Sequence, residues 1–390
     1  MHKNLRDITD KRQKTKIGGV VLKKALDTTK AKSNKNGAAG SSVHRDLKVV
    51  DEKGGNQKAS KSGGFELDKK QLIEIHNLMV KSRVLEERLI KMFKQSDGYF
   101  WIGGPGEEAF AIPLGLNVKK GEGLNHDFLH LHYRASGIMV AMGMEPIDEI
   151  RQMKNVAGDP FSAGRNFGNH YSRKAWNVVP VSSTIETQYA TAIGTGIAQA
   201  RKGCTGITIV TGGDAGTAEG EFASCMLWAN MPQRNLPILM IVTNNEWGIS
   251  TDTAIIQRKG LIADRARAFG MRVEVVNGND VEESYRTIKD VMEYIRKERK
   301  PAFIEAHLSR LYGHSSASGA NFKPNEEDCL ITFESKLEDA GILNRSKMDE
   351  IRENYTVEMR EILKKVKQEP MPDPSSIYDY VYANQKGKYW

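Results

Sequence analysis

Short apolar segments alternate with helical stretches between residues 207 and 306. The apolar segments are rich in β-branched residues, and the stretches between them carry apolar residues at helical spacing. Because strand and helix alternate, the sequence predicts an α/β fold, a doubly wound parallel sheet with helices on both faces. The predicted strands are Ile207–Val210, Ile238–Val242, Arg272–Val276 and Phe303–Ala306, and the predicted helices between them are Glu221–Ala229, Ala263–Phe269 and Val281–Arg296.

The first 62 residues differ in composition from the rest of the chain. They carry 16 Lys/Arg against 6 Asp/Glu, whereas the remaining 328 residues carry 41 Lys/Arg and 43 Asp/Glu. We therefore expect a disordered basic arm over 1–62, either solvated or docked on an acidic partner, an α/β domain over 63–345, and a C-terminal helix and docking tail over 346–390. Asp7 and Asp10 argue against a transit peptide. Since the body is near neutral, no nucleic-acid partner is predicted.

Two long helices are expected outside the alternating region, over Leu67–Met92 and about Met348–Val366. After the second helix, the tail is rich in aromatic residues, which suggests docking on an apolar surface. These aromatic residues are Tyr378, Tyr380, Tyr382, Tyr389 and Trp390.

The sequence predicts neither a membrane span nor secretion. Its longest apolar run, Leu236–Val242, is much shorter than the roughly 20 residues that cross a bilayer. The N-terminus lacks the apolar segment of a signal peptide. Cys204, Cys225 and Cys329 form no CxxC pair, which favours a reducing compartment. We expect the cytoplasm, or the mitochondrial matrix if the protein is eukaryotic.

Polar residues follow the first two predicted strands. Asp214 comes after a glycine pair, and Asn245 closes an Asn-Asn pair. Because carboxyl ends of parallel strands meet at one edge, both side chains should be neighbours there. With a backbone carbonyl near Trp247, they provide the oxygen ligands that Mg²⁺ prefers. Gly213 and Gly216 let the backbone approach a diphosphate, and the start of the next helix adds amide donors. The alternative is a glycine-rich turn without a ligand.

This segment resembles the GDG–NN thiamine-diphosphate motif of α subunits of 2-oxo acid dehydrogenase decarboxylating components. The resemblance implies that Asp214, Asn245 and the carbonyl of Trp247 bind Mg²⁺. Two departures from the motif stand in this chain. One is Ala215 in place of the third motif residue, glycine, and the other is a somewhat long link over Met231–Pro237. The cofactor-binding loop implied by the motif consists of Gly213, Asp214, Ala215 and Gly216.

Further segments extend the resemblance over roughly residues 65–385. His132–Gly137 is similar to the family's YR-x-x-G segment, which implies that Tyr133 and Arg134 contact the cofactor. An Arg fork suits a diphosphate because it forms charge-assisted bidentate bonds.

A second segment, SSTIETQ at residues 182–188, is similar to the family's SSPLATQ. The resemblance implies that Ser183 binds the cofactor and that Ile185 holds thiamine in its bent conformation. In branched-chain members this segment also holds a potassium ion. A Ser/Thr cap of the following helix would account for the same residues. The implied K⁺ ligands are Ser182, Thr184, Thr187 and Gln188.

A third segment, residues 310–316, resembles the family's R-x-x-(G/H)-H-S active-site loop. The resemblance implies that His314 is catalytic, facing the cofactor diphosphate and the substrate, and that Arg310 orders the loop and binds the cofactor. Mitochondrial members are inhibited by phosphorylation of the next serine, here Ser315. Ala317 and Gly319 stand where acidic residues usually follow, so this regulation is not expected here.

Three histidines, His126, His130 and His132, could be interpreted as metal ligands near Asp127. No cysteine or supporting pattern favours zinc, and we interpret them as ordinary residues. The chain also has no Walker lysine after its glycines and no GxGxxG after a strand, so neither a P-loop nor a nicotinamide fingerprint is indicated.

The resemblance implies thiamine-dependent oxidative decarboxylation of a 2-oxo acid, with acyl transfer to lipoyl-lysine on an acyltransferase partner. SSTIETQ and NNEWGIST are more similar to branched-chain members than to pyruvate or acetoin members. No second pyrimidine-binding domain follows residue 330, so we expect a separate β subunit and a heterotetramer. Three alternatives remain: a pyruvate or acetoin dehydrogenase α subunit, a non-catalytic paralogue acting as a binding subunit, and a nucleotide-sugar or NAD-binding α/β enzyme.

Overall fold

A five-stranded parallel sheet organises the described part of the chain. The structure is a computed structural model that describes residues 65–233, 235–253 and 260–379. The sheet strands are β1 (Phe128–His130), β2 (Thr208–Gly213), β3 (Ile238–Asn244), β6 (Arg272–Asn277) and β7 (Ala302–His307). A separate antiparallel pair consists of β4 (Trp247–Gly248) and β5 (Thr251–Asp252). In the main sheet the order is β1-β2-β3-β7-β6, and every neighbouring pair is parallel.

All four predicted strands are present, and each continues beyond its predicted carboxyl end. β2 runs past Val210 to Gly213, and β3 runs past Val242 to Asn244, because their ladder continues through the polar residues at this edge. β1 was not predicted, since three residues are too few to show a period.

Helices cover both faces of the sheet. Alternate strand residues point to opposite faces, so Ile209 and Ile241 belong to one apolar core while Val210 and Val242 belong to the other. The prediction of a doubly wound α/β fold is therefore confirmed. The helices are α1 (Lys69–Lys94), α2 (Glu108–Asn117), α3 (Ser136–Ala141), α4 (Pro146–Lys154), α5 (Thr187–Lys202), α6 (Gly220–Ala229), α7 (Ala263–Ala268), α8 (Val281–Glu298), α9 (Cys329–Asp339) and α10 (Arg345–Val366).

The two long helices are set by their caps and their apolar faces. α1 starts after Asp68, whose side chain accepts a hydrogen bond from the backbone N–H of Gln71, while the Gln71 side-chain oxygen accepts one from the backbone N–H of Asp68. α10 starts three residues before the predicted position because the Asn344 side chain caps it, accepting from the N–H of Lys347.

The C-terminal helix packs against α1 and α4. Arg352 pairs with Glu87 on α1, and Arg151 on α4 donates from Nε and Nη2 to the carboxylate of Glu369, just beyond α10. The boundary predicted at residue 346, between the α/β domain and the C-terminal helix and tail, stays a prediction.

No helix within the described ranges is long and apolar enough to cross a membrane. The predicted basic arm and the tail residues 380–390 lie outside the described residues.

A buried arginine connects α1 to the segment before α9. Arg83 donates to both carboxylate oxygens of Glu108 at 2.6 and 2.9 Å, and to both oxygens of Asp328 at 2.7 and 3.1 Å. Arg83 and Glu108 are almost inaccessible to solvent. Removing one partner of such a group leaves uncompensated buried charge, which costs far more than an exposed pair contributes.

We expect Arg83→Met to destabilise the chain by about 3–5 kcal/mol, because the buried carboxylate of Glu108 and the partly buried one of Asp328 lose their partner. The matched control is Lys364→Ala, which removes an exposed pair with Glu361 and should change stability by less than ~0.5 kcal/mol. Urea unfolding of the full-length chain measures both changes. Equal effects of the two substitutions would contradict the importance of the buried cluster.

Candidate active site at the carboxyl edge of the sheet

Asp214 and Asn245 lie at the ends of adjacent strands. β2 ends at Gly213 and β3 ends at Asn244, and the parallel register pairs Gly213 with Thr243. The next residue of each strand therefore leaves the sheet at the same edge. Both side chains are buried. The structure thus places these two predicted metal ligands as neighbours at the carboxyl edge.

Hydrogen bonds orient both side chains. The Thr253 hydroxyl donates to Oδ2 of Asp214, and Oδ1 of Asn245 accepts from the backbone N–H of Trp247 at 3.1 Å. The backbone carbonyl of Asp214 accepts from the Thr217 hydroxyl at 2.7 Å. Carboxylate and amide oxygens held in this way suit Mg²⁺, so the donor set fits the predicted ion.

The loop after β2 tolerates its departure from the motif. Ala215 begins a 3₁₀ turn, Ala215–Ala218, and is not among the residues with positive φ, so its Cβ causes no backbone strain. A Cβ added to Gly213 would meet no atom within 4 Å. The backbone at Gly213 is thus accessible to a ligand. α6 starts at Gly220, one residue before its predicted start, and the 3₁₀ turn lies between it and β2.

Arg134 and His314, both predicted site residues, are in direct contact. Nη2 of Arg134 donates to Nδ1 of His314 at 2.9 Å, and its Nη1 donates to the carbonyl of Gly103. The Arg134 guanidinium lies 5.2 Å from the centre of the Tyr133 ring, whose own centre is 5.6 Å from that of His314. Nε of Arg134 is 3.6 Å from a carboxylate oxygen of buried Glu107. These residues form one connected group.

Arg310 adds a second buried guanidinium to this group. Its Nη2 donates to the carbonyl of Ile249 at 2.9 Å, whereas Nε and Nη1 have no acceptor within the described residues. Buried donors of this kind suit an anionic ligand such as a diphosphate. Burial first, and then the charges of Arg134 and Arg310, lower the pKa of His314 to about 3. The imidazole is therefore neutral at physiological pH.

The residues implied as K⁺ ligands lie in one turn before and at the start of α5. The Thr184 carbonyl accepts from the Thr187 hydroxyl at 2.6 Å, and the Ser182 hydroxyl accepts from the N–H of Thr184 at 3.2 Å. Nε2 of Gln188 donates to the Thr211 carbonyl on β2 at 3.1 Å. This arrangement also fits an ordinary turn, and the potassium ion stays a prediction.

Ile185 lies in the same turn, and 45% of its surface is exposed. A large apolar side chain held at the entrance of a helix is available to contact a ligand or another chain. Its predicted contact with thiamine stays a prediction.

A buried histidine that the sequence did not indicate fixes the hydroxyl of Ser183. Nε2 of His170 contacts the Ser183 hydroxyl, and Nδ1 of His170 lies 3.0 Å from the carbonyl of Gly168. A carbonyl only accepts, so Nδ1 carries the proton and Ser183 donates to Nε2. Phe167 packs on the ring at 4.3 Å between centres. The lone pairs of Ser183 therefore remain to accept a hydrogen bond from a ligand.

The three other histidines have separate partners. His130 lies between the hydroxyls of two threonines on α5, His132 contacts the Thr211 hydroxyl at 2.8 Å, and His126 contacts the carbonyl of Glu122. Burial lowers the pKa of His130 to about 4, and burial with the nearby Arg134 charge lowers that of His132 to about 3. Across the described ranges, no three His, Cys, Asp or Glu side chains are grouped to hold a metal ion.

Glu186 is the second residue that sequence reasoning missed. It lies in SSTIETQ where the similar SSPLATQ has alanine, and this difference was the available signal. Its side chain is fully buried and its backbone φ is +66°. Burial, and then the charges of Glu219 and Glu221, raise the pKa of Glu186 to about 8. A Cβ on Gly216 would lie 1.8 Å from Oε1 of Glu186, so Gly216 makes room for this carboxylate.

We expect Gly216→Ala to destabilise the chain by about 1–3 kcal/mol through this overlap, and the loss should largely disappear in a Glu186→Ala background. Gly213→Ala is the control, since its Cβ meets no atom within 4 Å. Urea unfolding of the four variants without ligands measures the coupling. An equal loss in both Glu186 backgrounds would rule out the proposed contact.

Comparisons with known proteins place the chain in a family. A family model described as dehydrogenase E1 component matches residues 76–375. The chain is 28% identical over 329 residues to the 2-oxoisovalerate dehydrogenase subunit alpha of Bacillus subtilis, which covers 81% of this chain and 97% of that protein. It is 30% identical over 264 residues to the protein of the same name from Pseudomonas aeruginosa (67% and 62%), and 26% identical over 324 residues to the pyruvate dehydrogenase E1 component subunit alpha of Mycoplasma genitalium (81% and 86%). The chain belongs to the dehydrogenase E1 component family.

Proposed function

We propose that this chain is the α subunit of a thiamine-diphosphate-dependent 2-oxo acid dehydrogenase, and that its substrate is a branched-chain 2-oxo acid. The observation that carries the proposal is the placement of Asp214 and Asn245 on adjacent strand ends. Arg310 lies near enough for its charge to interact with that of Asp214. A carboxylate, an amide and buried guanidinium donors at one sheet edge suit a magnesium-bound diphosphate.

Membership of the family implies thiamine diphosphate as the cofactor. Asp214, Asn245 and the Trp247 carbonyl would hold its Mg²⁺, and Arg134, Arg310 and the loop from Gly213 to Gly216 would hold its diphosphate. When bound, thiamine diphosphate supplies the electron sink through which a 2-oxo acid loses its carboxylate as CO₂. The protein has to bind, orient and shield the reacting groups.

His314 is proposed to assist at the reacting centre. Because its Nδ1 accepts from Arg134, the neutral ring carries its proton on Nε2. That N–H can donate to a substrate oxygen on which negative charge develops, in the manner of an oxyanion-hole donor. The low pKa keeps the ring in this neutral state, and Tyr133 packs beside it.

The partner is proposed to be a β subunit that completes the site in a heterotetramer and supplies the glutamate acting on the aminopyrimidine. An apolar patch on α6 and the following turn would receive it: Leu227 and Trp228 are 56% and 44% exposed, and Met231 is partly exposed. A cavity of about 400 Å³ lies beside Trp228 and Met231. The second proposed partner is the lipoyl acyltransferase that accepts the acyl group.

The branched-chain substrate is supported by the names of the Bacillus and Pseudomonas relatives and by the SSTIETQ segment. The Mycoplasma relative keeps a pyruvate substrate as the second candidate. A K⁺ ion is part of the branched-chain proposal, and its proposed ligands are Ser182, Thr184, Thr187 and Gln188.

We expect Asp214→Asn to weaken magnesium-dependent binding of thiamine diphosphate at least about tenfold, because a metal-ligating carboxylate loses its charge. Isothermal titration of the full-length chain, with and without Mg²⁺, measures this affinity. Asp264→Asn, which alters an exposed carboxylate on α7, is the control and should bind like the wild type. Unchanged affinity of Asp214→Asn would exclude Asp214 as a ligand.

We expect decarboxylation of 2-oxo acids, followed with an artificial electron acceptor, only when the chain is combined with its β subunit. His314→Ala should lower kcat by about 10²–10³-fold, because it removes one donor to the developing charge, while cofactor affinity changes little. The preferred acid among branched-chain acids and pyruvate identifies the substrate. Cofactor binding without turnover of any acid would favour the non-catalytic paralogue, and full activity of His314→Ala would exclude its catalytic role.

A further inference from the structure

A buried carboxylate on β7 connects two separate elements of the candidate site. Glu305 is inaccessible to solvent. It lies on the same face of β7 as Phe303, which belongs to the same apolar core as Ala263 and Ala266 of α7. A carboxylate in such surroundings is costly unless its oxygens accept hydrogen bonds. Both oxygens of Glu305 do so, from different elements.

The first oxygen holds the turn after β3. Oε1 of Glu305 accepts from Nδ2 of Asn244 at 2.8 Å, and Oδ1 of Asn244 accepts from the backbone N–H of Glu246 at 3.1 Å. In the same turn, Oδ1 of Asn245 accepts from the N–H of Trp247. Glu246 has φ +62°, a conformation that a non-glycine residue keeps only where its surroundings impose it. Glu305 therefore holds, through Asn244, the turn that presents Asn245 and the Trp247 carbonyl.

The second oxygen holds α7. Oε2 of Glu305 accepts from the backbone N–H of Ala263, the first residue of α7, at 2.8 Å, and this helix has no capping side chain of its own. From α7, Nη1 of Arg265 donates to the carbonyl and the hydroxyl of Thr217 at 3.0 and 3.2 Å. The Thr217 hydroxyl in turn donates to the backbone carbonyl of Asp214 at 2.7 Å. Through α7, Glu305 is thus linked to the loop that carries Asp214.

This pair of contacts requires a carboxylate. Asn244 and Ala263 each present an N–H, and a carboxylate accepts at both of its oxygens, whereas an amide has one oxygen and one donating NH₂ group. Glutamine at this position would leave one of the two N–H groups facing another donor. Nε2 of His307 is also 3.4 Å from Oε1 of Glu305, but this histidine belongs to neither link.

Resting on the proposed function, we propose that Glu305 is a positioning residue for the magnesium site. It acts through Asn244 on the turn of Asn245, and through Arg265 on the loop of Asp214. One buried group on β7 thus sets the positions of both ligands at once. Groups that hold metal ligands in place by hydrogen bonds typically change metal affinity by about 10–100-fold when they are removed.

The test measures metal affinity, with Mn²⁺ replacing Mg²⁺ because both ions prefer oxygen ligands. The full-length chain, with thiamine diphosphate in fixed excess, is titrated with Mn²⁺, and the EPR signal of free Mn²⁺ reports binding. Glu305→Gln should weaken Mn²⁺ binding at least about tenfold. The matched control is Glu274→Gln on the adjacent strand β6, where a partly exposed carboxylate pairs with Arg272, and it should change the affinity less than about twofold.

A double variant separates positioning from a general loss of structure. In Glu305→Gln with Asn244→Asp, the amide and the carboxylate exchange places. The new amide oxygen can accept from Ala263 and its NH₂ can donate to residue 244, whose second oxygen still accepts from Glu246. Mn²⁺ affinity should return to within about threefold of the wild type.

Arg265→Ala tests the second link without altering the buried carboxylate. The Arg265 side chain is partly exposed, so this variant does not disturb the apolar core. It should weaken Mn²⁺ binding at least about threefold, because the loop of Asp214 loses its contact with α7. It also decides the matter if Glu305→Gln does not fold.

Three results would each overturn the proposal: equal Mn²⁺ affinity of Glu305→Gln and the wild type, a loss that the double variant does not recover, and unchanged affinity of Arg265→Ala. In each of these cases the wild type still binds Mn²⁺ with thiamine diphosphate, and the proposed function stands. A wild type that binds no Mn²⁺ in the presence of thiamine diphosphate would instead contradict the proposed function, and this proposal with it.

Discussion

The parallel pairing of β2 with β3 is the constraint on which the rest of the site depends. These strands are buried on both faces, so their register is fixed by two apolar cores at once. With Gly213 opposite Thr243, Asp214 and Asn245 leave the sheet side by side. A shift of one residue would turn every side chain of the strand to the other face. The ligand geometry is therefore secured by the burial of Ile, Leu and Val residues well away from the ligands themselves.

Buried charge is the second organising feature. Arg83 is fully paired within the scaffold, with Glu108 and Asp328, and stabilises the packing of α1 against its neighbours. Arg310 keeps two buried N–H donors without an acceptor in the described ranges, and Glu186 keeps two oxygens without a donor there. Unpaired groups of this kind lower stability. Their concentration around the loop after β2 is what is expected where a protein binds ligands at the expense of its own stability.

The sequence predicted four strands of the main sheet, the helices between them and the two long helices, but it missed α2, α3, α4 and α9. It also failed where local pattern carries little information. β1 is three residues long, and Ser183 is oriented by His170, thirteen residues earlier and without a recognisable motif. Nothing in the sequence indicated that Glu186, a polar residue in the SSTIETQ segment, would be buried. Its carboxylate packs against Gly212 on β2 and Gly216 in the turn after β2. These features arise from long-range packing, which neither periodicity nor motif spacing reports.

By itself, the sequence determined the alternation of strands and helices, and with it the doubly wound class and the edge at which Asp214 and Asn245 lie. Those properties follow from local periodicity and from the rule that parallel strands end on one side. Only the tertiary structure decided that Arg134 contacts His314, that Arg310 retains unpaired donors, and that the Glu186 carboxylate is enclosed. The physical reason is that ionisation state and hydrogen-bond satisfaction depend on burial and on groups distant in sequence, which only the folded chain brings together.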